Sequence, residues 1–477
     1  MVPVYRKKPE VFKKCLRHLF DQSVKDIEVI CVFDGVDEEL MAIAADFPVK
    51  RITLTNNMGA PFARNRGIEK ATGKYVVTWD ADCYIKPEAA KRWLQEFEAK
   101  PDVDFVYSGY ELAGERGGHE GEPFDPYSLT CGNYISSMSP IKREKVFSWD
   151  ETLEGAQDWD YWLTACENGL KGSFIPGSGF IADSNFDGIS RSAWSAENRE
   201  TTIRIVKEKH GIPDREIGVF STQYTDRALK LAKILGADLI KPSGKNIDKY
   251  KMILVLGYGF ASRFDGIGKD VTKIQYWVPA EIEALAEARY SVVMETIRVS
   301  KEVVNLCNTD YEKNRLSDLG ITADVLPLPL AEDDLAKVET KLPEKFKALL
   351  ITDEAYGKLL EELPVDLPHI EFVHNQARIK DCSCLISFYR FAALDDAILV
   401  AQVNGRNVIS NVQAPYCGYI DPDVDYEDFK AALYEEIRKI REKPFNEEAK
   451  SYYMDLVRPE KFKDAILALM PKVMEVV

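Results

Sequence analysis

The sequence predicts an α/β protein of about three domains, each built on a parallel sheet. Three observations lead there. The chain has 477 residues, room for about three domains of ordinary size. Short apolar, β-branched runs alternate with amphipathic segments along most of it, the pattern of strands joined by crossover helices. Several of these runs stop at Asp or Gly, as at Asp34-Gly35 and in the stretch Gly73-Lys-Tyr-Val-Val-Thr-Trp-Asp-Ala-Asp-Cys-Tyr84.

Composition narrows the function. The chain is 45% hydrophobic and 29% charged, an ordinary soluble balance. A net charge of −16 argues against nucleic acid or anionic membrane as general partners. No apolar run reaches the length of a transmembrane segment, and no signal peptide is expected. Nine cysteines are scattered and odd in number, with Cys382-Ser-Cys384 the only close pair, and five histidines are equally scattered. That spacing fits neither a zinc knuckle nor a redox motif, and the expected location is cytoplasmic with reduced thiols.

The expected domains are residues 1–215, 216–335 and 336–477. In the first, Met1 to Tyr5 reads as a strand that is short or cut by the start of the sequence. Residues 9–20 read as a helix with Val11, Cys15, Leu16 and Leu19 on one face. Residues 27–33 and 49–54 read as strands around a helix at 40–45. A helix carrying Arg64 and Asn65 follows, then a strand over Tyr75–Trp79. Beyond it come a helix at 86–100, a strand at 103–107 and a mobile loop at 111–126. A helix near 157 and another at 195–210 complete the domain, with a linker at 211–214.

Asp80 and Asp82 stop the strand at 75–79. Ligands of parallel sheets bind beyond the carboxyl ends of the strands. Two carboxylates there can hold a hard divalent cation, and the cation can hold phosphates. Asp-X-Asp also occurs at Asp102/Asp104, Asp158/Asp160, Asp421/Asp423 and Asp423/Asp425, so a solvated strand end is the plain alternative. The surroundings add weight. Asn57-Met-Gly59 and Ala63-Arg64-Asn65-Arg-Gly67 stand upstream. With that order and spacing, the segment resembles the family-2 glycosyltransferases of the GT-A fold.

The resemblance implies a strand at 134–140, where the family positions the acceptor, and a site. Pro3, Val4, Tyr5 and Asp34 would line the nucleotide base, although Asp34 before Gly35 also reads as a turn residue. Arg64 would reach base or phosphates, or be a plain helix-surface arginine. Asp80 and Asp82 would hold Mn²⁺ or Mg²⁺ on the pyrophosphate. Asp158, in Gln157-Asp158-Trp159-Asp160, would be the catalytic general base; the family's preceding Glu is Gln157 here, and a helix cap is the structural alternative. Trp159 and Asp160 would face the acceptor, with core packing an alternative for Trp159 and Trp162. Arg191, in Gly188-Ile-Ser190-Arg191-Ser192, would meet the pyrophosphate. A histidine usual as third metal ligand is absent, with Asn185 and Asp187 in its neighbourhood.

The second half reads as two further strand–helix units. Strands are expected at 252–256, 274–278, 291–294, 303–306, 348–351, 370–373, 384–387 and 407–410. Helices are expected at 229–235, 279–288, 308–319 and 396–404, with amphipathic helices from Tyr426 onward. It resembles, more loosely, a family-4 GT-B module, through Asn308-Thr-Asp-Tyr-Glu and Ala401-Gln-Val-Asn-Gly405-Arg-Asn-Val-Ile-Ser410. The two glutamates of that family fall on Ala392 and Val400, so the module is expected to be catalytically degenerate.

The fold expected is thus α/β: a GT-A, Rossmann-like domain followed by two Rossmann-like domains of GT-B type. The function implied is inverting, metal-dependent transfer of a sugar from a nucleotide-diphospho-sugar to a glycan, lipid-linked or protein acceptor. Two alternatives stand beside it: transfer in both halves, or a non-catalytic carbohydrate-binding or assembly protein.

Overall fold

The computed structural model describes residues 1–114, 117–183, 196–240, 247–257, 267–268, 270–330, 335, 341–343, 346–352, 371–374, 379–388, 396–411, 414–421 and 424–470. The chain divides into two compact units, Met1–Asp214 and Arg215–Val477.

In the first unit, β1 (Val2–Val4), β2 (Ile30–Asp34) and β3 (Lys50–Leu54) form a parallel sheet. Between them run α1 (Pro9–Phe20) and α2 (Glu38–Ala45). Helix α1 starts on Pro9 and buries Phe12, Cys15, Leu16 and Leu19, the face that the 3.6-residue period predicts. Helix α2 is capped by Asp37, whose carboxylate accepts from the Leu40 amide at 3.1 Å. Helix α3 (Ala60–Glu69) enters through Gly59 at φ 92°, a backbone state open to glycine. Gly67 lets α3 lie against the first sheet, since a Cβ there would stand 2.5 Å from the Met1 side chain.

The strand expected over 75–79 is regular only as β4 (Tyr75–Val76). Residues 77–79 instead lie along the start of β1: the Trp79 amide donates to the Met1 carbonyl at 2.8 Å. Running alongside β1, the chain carries the Asp80–Asp82 turn to the carboxyl end of that strand, where Asp82 meets Lys7. The chain then turns through β5 (Cys83–Ile85), α4 (Ala89–Ala99), β6 (Phe105–Leu112), β7 (Gly118–His119), α5 (Pro126–Cys131), β8 (Ile141–Lys142), α6 (Gln157–Glu167), β9 (Gly172–Ala182) and α7 (Ala196–Lys209). A mixed sheet in the order β4-β8-β6-β9-β5 results, with β7 on β6.

Two expectations fail here. Residues 111–126 are not all loop, because β6 runs to Leu112 and β7 pairs back on Tyr110 and Glu111. Residues 134–140 form no strand. The Asn133 side chain accepts from the Ile135 amide and the Ser136 hydroxyl from the Met138 amide, each at 3.1 Å, and such local side-chain bonds compete with a ladder.

Among the described residues the second unit holds two sheets, parallel throughout. The first contains β10 (Ile217–Phe220), α8 (Thr225–Leu235), β11 (Asp238–Ile240), β12 (Met252–Leu256), β13 (Thr272–Tyr276), α9 (Pro279–Ala286), α10 (Tyr290–Ser300), β14 (Val304–Cys307), α11 (Asp310–Asp318) and β15 (Asp324–Val325). Its strand order is β11-β10-β12-β13-β14-β15. The second contains β16 (Lys347–Thr352), β17 (Glu371–His374), β18 (Cys384–Phe388), α12 (Asp396–Val403), β19 (Asn407–Ser410) and β20 (Cys417–Tyr419), in the order β17-β16-β18-β19-β20. The protein is therefore α/β with Rossmann-like sheets.

Residues 291–294 are not a strand but lie inside α10. Val292 and Val293 suggest a strand, yet the buried positions are Thr296, Val299 and Ser300, one stripe at helical spacing. Three helices close the chain: α13 (Tyr426–Glu442), α14 (Glu447–Leu456) and α15 (Pro459–Ala468). Residues of α13 and α14 join the cores of the second sheet. Helix α15 returns to the first sheet of this unit, where Phe462 meets Tyr276 with ring centroids 6.5 Å apart. All nine cysteines are free, and among the described residues no helix is long and apolar enough to cross a membrane.

Candidate functional site

Four segments of the first unit converge at the carboxyl ends of β1 and β2: the residues after β1, helix α3, the Asp80–Asp82 turn and the start of α6. Their side chains are joined by charge. The Arg64 guanidinium donates from Nη2 to Asp80 Oδ1 at 3.1 Å and from Nη1 to Gln157 Oε1 at 3.0 Å. It is almost wholly buried and lies over the Trp149 ring, 4.4 Å from the centroid. Its Nε has no protein partner. Arg64 is thus no surface arginine. It is the bridge that sets the Asp-X-Asp turn against the helix bearing Asp158.

Asn65 fixes the platform beneath it. Its side chain donates to the Trp149 carbonyl at 2.9 Å and accepts from the Trp149 amide at 2.8 Å. The neighbouring Arg64 and Asn65 therefore divide the work, one binding charge and the other holding the aromatic surface under that charge.

Asp82 is ion-paired with Lys7, three residues beyond β1. Lys7 is largely buried, which lowers its pKa, but Asp82 and then Asp80 outweigh that and hold the ammonium above its usual value. Lys7 carries no motif and the sequence reading missed it. The signal was positional: it follows the end of β1, and the Asp80–Asp82 turn follows the segment running beside β1.

Asp158 lies in the first turn of α6, where its Oδ1 accepts from the Trp159 amide at 3.0 Å. It is not the helix cap. That position is Ala156, at φ 48°, a strained state for a residue with a Cβ. Burial pushes the Asp158 carboxyl up. Arg64 and the backbone amides pull the other way, Asp80 adds to the rise, and the net shift is upward. A carboxylate raised in this way is a better proton acceptor than a solvated aspartate.

Other expected residues stand differently. The Asp34 carboxylate is buried and accepts from the Met58 and Gly59 amides at 2.6 and 2.9 Å, so it closes the turn into α3. Val4 belongs to the core cluster with Phe12 and Phe33, which takes its side chain out of any base pocket. Pro3 is half-buried and Tyr5 is exposed. Trp159 is buried with its indole N–H on the Leu129 carbonyl at 2.7 Å, the core packing that was the alternative reading for it. Asp160 is 3% exposed and is held by Lys209 at 2.7 Å and His210 at 2.9 Å. It fastens the end of α7 to α6. Arg191, Asn185, Asp187 and Ala392 lie outside the described residues. Val400 packs against a core cluster of the second unit.

The donor set was tested for a divalent cation. Asp80 and Asp82 are each part-exposed, at 36% and 25% of the side chain. Two carboxylates fit Mg²⁺ or Mn²⁺ when water and phosphate oxygens complete the shell. Among the described residues no group of three or more His, Cys, Asp or Glu could hold a metal, and Asp80 and Asp82 are the carboxylates that stand together at this edge. Each already carries a cation, Arg64 or Lys7, and a metal on Asp82 would exchange with Lys7.

The fold and this charged edge define an α/β protein with a cluster of acidic and basic side chains beyond its strand ends. Residues 1–130 match the family described as Glycosyl transferase family 2, so a domain of that family stands at the N-terminus. An uncharacterized glycosyltransferase of Haemophilus influenzae is 29% identical over 176 residues, covering 34% of this chain and 60% of the relative. The amylovoran biosynthesis glycosyltransferase AmsE of Erwinia amylovora is 33% identical over 115 residues, covering 23% of this chain and 42% of the relative. The chain thus spans 60% and 42% of the length of these curated relatives. Among solved structures, S. aureus TarS 1–349 in complex with UDP-GlcNAc aligns at 17% identity and TM-score 0.39, covering 64% of this chain and 82% of that one. Mannosyltransferase PcManGT from Pyrobaculum calidifontis, in complex with GDP-Man and Mn²⁺, aligns at 17% and 0.35, covering 45% and 64%. Likenesses this distant add nothing to the argument from the site.

Proposed function

We propose that the chain is a glycosyltransferase that moves a sugar from a nucleotide-diphospho-sugar to an acceptor hydroxyl, with inversion, in its first unit. The observation that carries this reading is the Arg64 bridge. It brings the two carboxylates suited to a metal–diphosphate and one carboxylate suited to a base onto the same edge. Asp158 takes the proton of the acceptor hydroxyl as the oxygen attacks the anomeric carbon. Asp80 and Asp82 hold the cation, which when bound neutralises charge growing on the leaving diphosphate. Lys7 and Arg64, released from their carboxylates, pair with phosphate oxygens. Tyr5 and Pro3 border the base, and Arg191 meets the pyrophosphate.

Three finer readings go with it. One relative named for amylovoran biosynthesis supports a glycan acceptor. Nine free thiols suit a reducing cytoplasm. The second unit is a non-catalytic module, since Val400 offers no group to a sugar hydroxyl.

The test is a panel of UDP-, GDP- and dTDP-sugars incubated with Mn²⁺, following release of nucleoside diphosphate. At least one donor should be hydrolysed slowly by the wild type. No release and no thermal stabilisation with any donor would contradict the proposal.

A further inference from the structure

The second unit carries an open cavity of about 530 Å³ lined by Tyr416, Glu448, Ser451, Tyr452, Asp455 and Leu456. That volume lies within the range of small-ligand sites. Two of its side chains are aromatic and face water. Tyr416 is 44% exposed and Tyr452 41%. Their ring centroids are 5.6 Å apart and their planes 55° apart, which makes an open corner rather than a closed stack.

Tyr416 is held in this position by force. Its φ is 60°, a left-handed state that a residue with a Cβ keeps only where its surroundings impose it. Gln402 and Tyr453 are both fully buried. Gln402 Nε2 donates to the Tyr416 carbonyl at 3.2 Å, and the Tyr453 hydroxyl donates to the Pro415 carbonyl at 2.8 Å. Helices α12 and α14 thereby clamp two consecutive carbonyls. A ring held out in water by a strained backbone adds little to a core, which points to a ligand.

The rest of the lining says which ligand. Glu448, Ser451, Tyr452 and Asp455 are spaced by three and four residues along α14, so they form one stripe. Its charges are already met. Asp455 pairs with Lys461 and, at 3.8 Å, with Arg458, and Glu448 pairs with Lys443 at 3.7 Å. A cationic ligand would have to displace these partners. A sugar needs no unpaired charge, only a flat apolar face for its C–H groups and acceptors for its hydroxyls.

We propose that this cavity binds a neutral glycan chain, one sugar ring resting in the Tyr416–Tyr452 corner and its hydroxyls donating to Glu448, Ser451 and Asp455. Binding itself stands on the geometry above; only the glycan's role as acceptor rests on the glycosyltransferase reading. Full-length protein is run in native gels cast with a soluble β-glucan, a galactomannan or glycol chitin. At least one polysaccharide should retard the wild type. Tyr416→Ala and Tyr452→Ala should each weaken that retardation about tenfold, as loss of an anchoring ring does, and Tyr416→Phe should preserve it. If an alanine variant fails to fold, Glu448→Gln on the exposed helix face carries the test, with a several-fold weakening expected. No retardation by any of the three, retardation unchanged in the variants, or binding of polylysine in place of polysaccharide would overturn the proposal. Nucleotide-sugar hydrolysis measured on the same wild-type preparation separates the two readings. Hydrolysis without retardation defeats only this one, and retardation without hydrolysis defeats only the other.

Discussion

The strand ends of the two units treat acidic side chains in opposite ways. In the first unit, Asp80 and Asp82 stay part-exposed and each meets a cation, Arg64 or Lys7. In the second, Glu312 follows β14 in the first turn of α11 and is 2% exposed. Burial pushes its carboxyl up to about 7, against the Asn308 amide that favours the charge, and Oε1 has no protein partner. The first arrangement sets carboxylates next to cations that can be exchanged for a metal and phosphates. The second holds one acid near neutrality, where it offers little to a cation. Chemistry on a phosphate donor therefore fits the first unit, although both units present parallel strand ends.

The largest effect that could break this contrast lies at Asp158. Asp158→Asn should keep donor binding and cut transfer by roughly a hundredfold or more, the scale of a lost general base. The same substitution tests the raised pKa. A carboxyl that titrates higher folded than unfolded costs stability as pH rises from its ordinary value, 3.8, through the folded value. Asp158→Asn removes that cost, so its melting temperature should equal or exceed that of wild type at pH 7 and lose the advantage near pH 3.5. Unchanged turnover would assign the base elsewhere.

Glu312→Gln should act on stability in the second unit without touching donor hydrolysis. The raised carboxyl costs nothing below about 4.5 and its full penalty above about 7, a difference on the order of 3 kcal/mol. The variant should therefore melt higher than wild type at pH 8 and alike at pH 4. Thermal melts across that window decide it, and a lower melting point at pH 8 would show that the charged form is wanted there.

A smaller effect is expected at Lys7. Lys7→Ala should raise the affinity for Mn²⁺ alone by roughly fivefold, the worth of a part-exposed ion pair of about 1 kcal/mol. It should at the same time weaken binding of nucleoside diphosphate. Manganese titration followed by electron paramagnetic resonance reads the first effect without any turnover.

How far the sequence showed this depends on the residue. Pro9–Phe20, Met252–Leu256 and Asn407–Ser410 were legible to the residue because their apolar periods are clean and Pro, Gly or Asn bounds them. Tyr290–Ser300 was not, since β-branching at Val292 and Val293 outweighed the weaker helical stripe. The Asp80–Asp82 turn, Arg64 and Asp158 were visible as a motif. Their joining through Gln157 was not, because a bridge between residues 64 and 157 leaves no trace in local pattern. The contacts that bury Trp159 and Asp160 were hidden for the same reason: their partners, Leu129, Lys209 and His210, are distant in sequence.

The central claim is that the edge bearing Asp80 and Asp82 takes a nucleoside diphosphate together with a metal. Calorimetric titration of UDP and GDP into the full chain, with and without Mn²⁺, tests it most directly. The account predicts weak binding without metal and at least about tenfold tighter binding with it, with the difference abolished in Asp82→Ala. Equal affinity with and without Mn²⁺ in the wild type would contradict it.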